Sequence, residues 1–210
     1  IKGRSITPVI DVLNGVRIRC LKEDSKGNLW ICTSRAGVYK LTTDGGVKKY
    51  DKSNGLNGEL YRTVTELSDN TILVAGDSGM SFIKDDDSVY NIGTQMINSK
   101  VLCTLQADDK TIFAGTDGNG IEVIRDGVIV GNFGKNEGLS SGVILRMVED
   151  SSGDGIFIVT SNSICYMDKT QNIRVLKNFP YYNNYDIVNG KDGMLFVLSS
   201  AGIFVVDEKK

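Results

Sequence analysis

Histidine is absent from all 210 residues. That removes the commonest general base and the commonest metal ligand, and it excludes Ser-His-Asp and Cys-His catalytic arrangements. An excess of either charge is lacking too. The 24 Lys and Arg stand against 26 Asp and Glu, a formal net charge of −2, so there is no electrostatic case for nucleic acid or an anionic membrane. No apolar run approaches the roughly 18 residues of a membrane span, and no signal peptide is visible. Only four cysteines occur, none in a Cys-x-x-Cys pair that would hold zinc. Cys20, Cys32, Cys103 and Cys165 each lie in an apolar run and read as small buried thiols. Helix signals are poor. No 3.6-residue stripe of ten or more is present, Ala is scarce and β-branched residues abound, which predicts almost no helix. The chain starts at Ile1 rather than Met, so it is expected to be a piece of a longer protein, with any span or signal outside it.

What is abundant is glycine, 24 residues spread along the chain, which means many tight turns. The glycines punctuate a repeat. Lys26-Gly-Asn-Leu-Trp-Ile-Cys-Thr-Ser-Arg-Ala-Gly-Val38 parallels Lys191-Asp-Gly-Met-Leu-Phe-Val-Leu-Ser-Ser-Ala-Gly-Ile203. Three further copies begin near Asp69, Asp109 and Gly153. Each copy is a turn, an apolar strand, a small-residue turn and a second strand. The second-turn positions Gly37, Gly79, Gly120, Ser163 and Gly202 recur about every 41 residues, the period of a propeller blade. Runs before and after each hairpin also read as strands, Arg17–Glu23 and Gly46–Tyr50 in the first copy. Continuous apolar runs, Ile156-Phe-Ile-Val159 and Leu195-Phe-Val-Leu198, predict middle strands buried on both faces.

The fold class is therefore all-β, a β-propeller of about five four-stranded blades: 16–60, 61–99, 100–142, 143–184, and 185–210 completed by 5–13. In that arrangement the run Ile6–Leu13 is an outer strand that closes the ring on the last blade. Pro8 suits such an edge, where a missing N–H is tolerated. The alternative is an arc of a larger, seven-bladed ring.

The stretch Ile18-Arg-Cys-Leu-Lys-Glu-Asp-Ser-Lys-Gly-Asn-Leu-Trp-Ile-Cys-Thr-Ser-Arg-Ala-Gly-Val-Tyr-Lys40 resembles the two-component regulator propeller repeat. Asn54-Gly-Leu56, Glu137-Gly-Leu139 and Met147-Val-Glu-Asp-Ser-Ser-Gly153 are similar to further parts of that repeat, while Cys32 stands where the family usually has Gly. The motif residues have structural roles. Asp24 and Asp150 can accept turn N–H groups, and Trp30 offers a large apolar face between blades. The resemblance implies the sensor region of a bacterial hybrid two-component or diguanylate cyclase receptor, an extracytoplasmic (periplasmic or cell-surface) part of a membrane protein. Its output domain and its membrane contacts would lie outside this chain.

Candidate ligand residues follow from the propeller geometry, in which outer-to-inner connections and middle hairpins share one face. The connections hold Arg17, Tyr61, Arg62, Lys100, and Tyr181, Tyr182 and Tyr185; the hairpins add Arg35, Asp77, Asp117 and Asn119. Aromatic faces beside fixed donors suit an unidentified small molecule, oligosaccharide or peptide. No catalytic residue, metal ligand or cofactor is assigned. Asp117-Gly-Asn-Gly120 and Asp150-Ser-Ser-Gly-Asp-Gly155 lack the calcium-loop ligand pattern and read as tight turns. The expected function is non-catalytic ligand sensing. The alternatives are a protein-interaction or homodimerisation platform and, less favoured, a carbohydrate-active propeller enzyme, for which Glu59, Asp77 and Asp117 are the nominal carboxylates.

Overall fold

A computed structural model of the chain describes residues 11–97, 99–179, 186–190, 194–199 and 202–207. The first blade is the antiparallel meander β1 (Ile18–Glu23), β2 (Leu29–Thr33), β3 (Val38–Leu41), β4 (Val47–Tyr50). The second is β5 (Tyr61–Glu66), β6 (Ile72–Gly76), β7 (Gly79–Ile83), β8 (Val89–Gly93). The third is β9 (Val101–Gln106), β10 (Ile112–Thr116), β11 (Ile121–Arg125), β12 (Val128–Phe133). The fourth is β13 (Ile144–Glu149), β14 (Gly155–Thr160), β15 (Ser163–Asp168), β16 (Ile173–Asn178). The fifth shows three strands among the described residues, β17 (Asp186–Asn189), β18 (Met194–Ser199) and β19 (Gly202–Asp207). The first strand of each blade packs beside the first strand of the next, from β1 through β5, β9 and β13 to β17, so these are the inner strands. The fold is an all-β, five-bladed propeller. Among the described residues helix is confined to one four-residue turn, α1 (Thr94–Ile97), and short 3-10 turns.

Strand periodicity explains the blade-to-blade core. Successive side chains on a middle strand point to opposite neighbours. Ile72 and Val74 of β6 pack with Trp30, Cys32 and Tyr50 of blade 1, while Leu73 and Ala75 pack with Val101 and Ala114 of blade 3. In β14, Ile156 and Ile158 meet blade 3, and Phe157 and Val159 meet Ile187, Leu195 and Val197 of blade 5. The first of the two continuous runs is thus buried on both faces. The second is not: Leu195 and Val197 are buried, but Leu198 is exposed. The reason is that the far face of blade 5, with Val188, Leu198, Ile203 (69% exposed) and Val205 (51%), is left in solvent by the described residues.

Residues 1–10, which carry most of the expected closing strand, lie outside the described residues. Its last part is not a strand. Asp11–Leu13 forms a 3-10 turn, because Asn14 and Val16 donate N–H bonds of 3.0 Å to the carbonyls of Asp11 and Leu13, with Gly15 at φ +76. The open face makes a direct prediction. Ile203→Lys is expected to change stability by no more than about 0.5 kcal/mol, whereas Val197→Lys, on the other face of the same sheet, buries an unpaired ammonium and costs more than about 4 kcal/mol. Urea unfolding of both variants measures the contrast. Equal losses would mean that another element covers the outer face in solution.

All four cysteines are free thiols; Cys32, Cys103 and Cys165 are buried and Cys20 partly so. Burial pushes the Cys103 thiol up to about 12 and raises Cys20 and Cys32 as well, so none of these three is a ready nucleophile.

Candidate functional site

One hydrogen bond recurs in four blades and joins the two loop sets of the candidate face. The first turn residue after the second strand donates its N–H to the residue just before or at the start of an inner strand. The pairs are Ser34 to Arg17 (3.0 Å), Asp77 to Leu60 (3.3 Å), Asp117 to Lys100 (2.9 Å) and Ser161 to Val143 (3.1 Å). Hairpin and connection residues that are distant in sequence are thereby held side by side.

A second repeated device aims the side chains. The register between first and second strands slips by one residue at Ile18/Cys20, Tyr61/Thr63, Val101/Cys103 (opposite Gly115/Thr116) and Ile144/Arg146. Such a bulge leaves one residue unpaired and re-aims its side chain. The inserted residues are Arg19, Arg62, Leu102 and Leu145. In blade 2 the Arg62 Nε–H donates to Asp77 Oδ1 at 2.7 Å, an ion pair of which both members are partly buried. In blade 1 the Arg19 Nε–H donates to Ser34 Oγ at 2.9 Å. Ser34 holds the turn position that Asp77 holds in blade 2, so the same bulge arginine meets a carboxylate in one blade and a neutral hydroxyl in the other.

Around Arg19 lies a cleft of about 520 Å³, lined by Val16, Arg17, Arg19, Ser34, Arg35 and Leu60 among others. Arg17 and Arg35 have no side-chain hydrogen bond or ion pair among the described residues. Burial first, and then the like charges of Arg17 and Arg62, hold the Arg19 guanidinium below the usual arginine range; Asp77 opposes this. Glu59 shares an adjoining cleft with Arg35, together with the Lys49–Asp51 ion pair at 2.9 Å.

The structure brings Arg17 and Arg35 together, with Arg62 and Asp77 beside them as a closed pair. Other candidates are occupied elsewhere. Tyr61 is a core residue at 1% exposure, its hydroxyl bonded to Asn57, Ser81 and the Gly58 N–H. Its burial against blade 1 removes it from the ligand face. The Asn119 side chain donates to Glu122 Oε1 at 2.6 Å and towards the Ile97 carbonyl, which satisfies a carboxylate buried to 4% exposure. It is a structural amide rather than a ligand donor. Lys100 and Asp117 stay exposed beside one another, away from the arginine cleft. Tyr181, Tyr182 and Tyr185 lie outside the described residues.

Sequence reasoning missed Arg19, and with it Arg146. The latter sits after its bulge and pairs with Asp186 of the next blade at 3.0 Å, both half-exposed. The signal for Arg19 was available in the aligned repeats, where Ile18-Arg-Cys20 and Tyr61-Arg-Thr63 put arginine at the same inner-strand position. A second cleft of about 310 Å³, between blades 3 and 4, combines Phe113, Ile156 and Met167 with Asp108, Asp109 and Glu149. Burial, and the nearby charges of Asp108 and Asp150, raise the Glu149 carboxyl. The described residues hold no cluster of three or more metal-ligating side chains.

The chain is thus a propeller with a cationic cleft where hairpins meet inner strands. Residues 12–35 match the two component regulator propeller family. No curated protein matches the sequence. Among solved structures, an extracellular domain assigned to the hybrid two component system BT4673 of B. thetaiotaomicron is similar, with a TM-score of 0.77 at 17% identity over 93% of this chain. This chain spans only 30% of that domain's length. Virginiamycin B lyase of Staphylococcus aureus is similar at a TM-score of 0.70 and 14% identity, over 91% of this chain and 70% of the lyase. A gluconolactonase of Xanthomonas campestris, XC5397, is similar at 0.62 and 12%, over 90% and 71%. At these identities the likeness is one of fold. Among the described residues no helix is long and apolar enough to cross a membrane.

Proposed function

We propose that this chain is the extracytoplasmic, ligand-sensing propeller of a bacterial signal-transduction receptor, and that it binds its ligand without transforming it. The observation that carries the reading is the cleft lined by Arg17, Arg19 and Arg35, an accessible set of cationic donors on the face where four blades bring their loops together. The family match at residues 12–35 and the fold shared with an extracellular domain of a two component system support a receptor setting. Propeller lyases and lactonases share the fold as well. A lyase variant with a histidine replaced by alanine is described as catalytically inactive, and this chain has no histidine at all, which favours binding over that chemistry.

The ligand is a small molecule, oligosaccharide or peptide. Nucleic acid is disfavoured by the net charge of −2. A panel of oligosaccharides, peptides and small metabolites tested by thermal shift is expected to give at least one saturable rise in Tm, with the ligand recovered unchanged by mass spectrometry. Consumption of the ligand would overturn the non-catalytic reading. No shift across the panel would overturn the sensing one. The apolar outer face of blade 5 favours a second reading, a homodimeric contact, which light scattering across a concentration series tests.

A further inference from the structure

We infer that the cleft at the start of blade 1 binds the acid group of an anionic ligand, which forms with Arg19 the ion pair that Asp77 forms with Arg62 inside the chain. This deepens the ligand-sensing reading and rests on it. The argument is a comparison of two copies of one device. Both bulges present an arginine to the same turn position. Blade 2 supplies the carboxylate itself, at 2.7 Å from Arg62 Nε. Blade 1 supplies only the Ser34 hydroxyl, at 2.9 Å, and adds two further arginines, Arg17 and Arg35, rather than a counter-charge.

Arg17, Arg19 and Arg35 are exposed residues lining one cleft whose lining holds no carboxylate, so an anion bound there meets cationic donors without a competing acidic side chain. Of the nearby acids, Asp77 acts on Arg19 but is hydrogen-bonded to Arg62, and Asp51 and Glu59 line the adjoining cleft, with Asp51 paired to Lys49. The planar fork of arginine favours a group with two or more oxygens, a carboxylate or a sulfate, and Ser34 adds a hydroxyl within reach of it.

The test uses sodium glucuronate and inorganic sulfate as probes, with glucose as the uncharged counterpart, followed by calorimetry and by the NMR signals of the arginine Nε–H groups. Saturable binding of either anion that shifts the Arg19 signal is expected, and glucose should leave that signal unmoved. Arg19→Gln is expected to weaken anion binding at least about tenfold. Ser34→Asp, which reproduces blade 2, is expected to abolish anion binding and to raise Tm by a few degrees at low salt. Absence of saturable binding by both anions, or binding indifferent to both substitutions, would overturn the inference. The two readings fail separately. Saturable binding of a neutral oligosaccharide with no binding of either anion leaves sensing intact and removes the anion site. Turnover of glucuronate at an intact cleft removes the non-catalytic reading and keeps the site.

Discussion

Gly120→Ala is expected to destabilise the propeller by about 3 kcal/mol or more, which for a chain of this size lowers Tm by about 10 °C. Gly120 ends the turn just before the third strand of its blade at φ +75, a conformation that L side chains rarely adopt, and an added Cβ would lie 2.1 Å from the Phe133 carbonyl oxygen at the end of the outer strand. The same turn in blades 1 and 2 places Gly37 against the Tyr50 carbonyl at 2.1 Å and Gly79 against that of Ile92 at 2.2 Å. The obstacle is backbone, so no side chain can swing aside.

Two other glycines calibrate the effect. Gly131 has open space around it and an ordinary backbone, so Gly131→Ala should leave stability unchanged or raise it by about 0.5 kcal/mol. Gly202 occupies the equivalent turn of blade 5 at φ +134, with nothing within 4 Å, so Gly202→Ala carries only the backbone penalty of about 1–2 kcal/mol. Thermal denaturation of the three variants sets the order. A Gly202→Ala loss equal to that of Gly120→Ala would mean that an outer strand covers the last turn in solution.

Trp30 is the second position of large expected effect. Its ring is 2% exposed, stacked at 5.5 Å on Tyr50, and fills the space between blades 1 and 2. Its indole Nε1–H donates to Asp24 Oδ2 at 2.8 Å, beside bonds from the Asn28 amide and from the backbone N–H groups of Lys26 and Asn28. Trp30→Ala is expected to cost about 3–5 kcal/mol through lost burial and the cavity left behind. Trp30→Phe keeps most of the volume and removes one donor to a buried carboxylate, a loss of about 1–2 kcal/mol.

The pH profile separates the two causes. Burial alone would raise the Asp24 carboxyl, but the hydrogen bonds from Asn28, Trp30 and the backbone outweigh it and hold the group below the usual carboxylate range. A lowered folded-state value means that the ionised form favours the fold. That stabilisation is complete above the unfolded carboxylate value of about 3.9 and is lost as pH falls through the folded-state value. Trp30→Phe should therefore show a shallower acid limb in Tm against pH than the parent protein. An unchanged acid limb would show that the indole bond contributes nothing to the carboxylate.

Much of the architecture was legible because it is local. Hairpins recurring every 41 residues or so, each with a small residue where the chain reverses, specify a blade whatever the neighbouring blades contribute. The turn bonds to Asp24 and the place of Trp30 between blades were likewise readable from residue type, but the indole bond that joins the two was not. The continuous apolar run of β14 was enough to predict burial on both faces. Such a run was not enough for Leu198, whose burial depends on a blade beyond it rather than on its own strand.

The candidate site was legible only in part. Topology put Arg17 and Arg35 in neighbouring loops, and the structure has them line one cleft, whereas Tyr61 and Asn119 close internal networks, which hydroxyl and amide groups do not reveal in sequence.

By itself, then, the sequence determined an all-β chain of repeated hairpins, the number of blades, the position of each reversal and the absence of histidine-based chemistry. The tertiary structure alone decided which cations remain unpaired. A one-residue bulge rotates Arg19 and Arg62 out of the strand alternation, and whether each then meets a carboxylate or a hydroxyl depends on a turn 15 residues away, brought alongside by a hydrogen bond that no periodicity encodes.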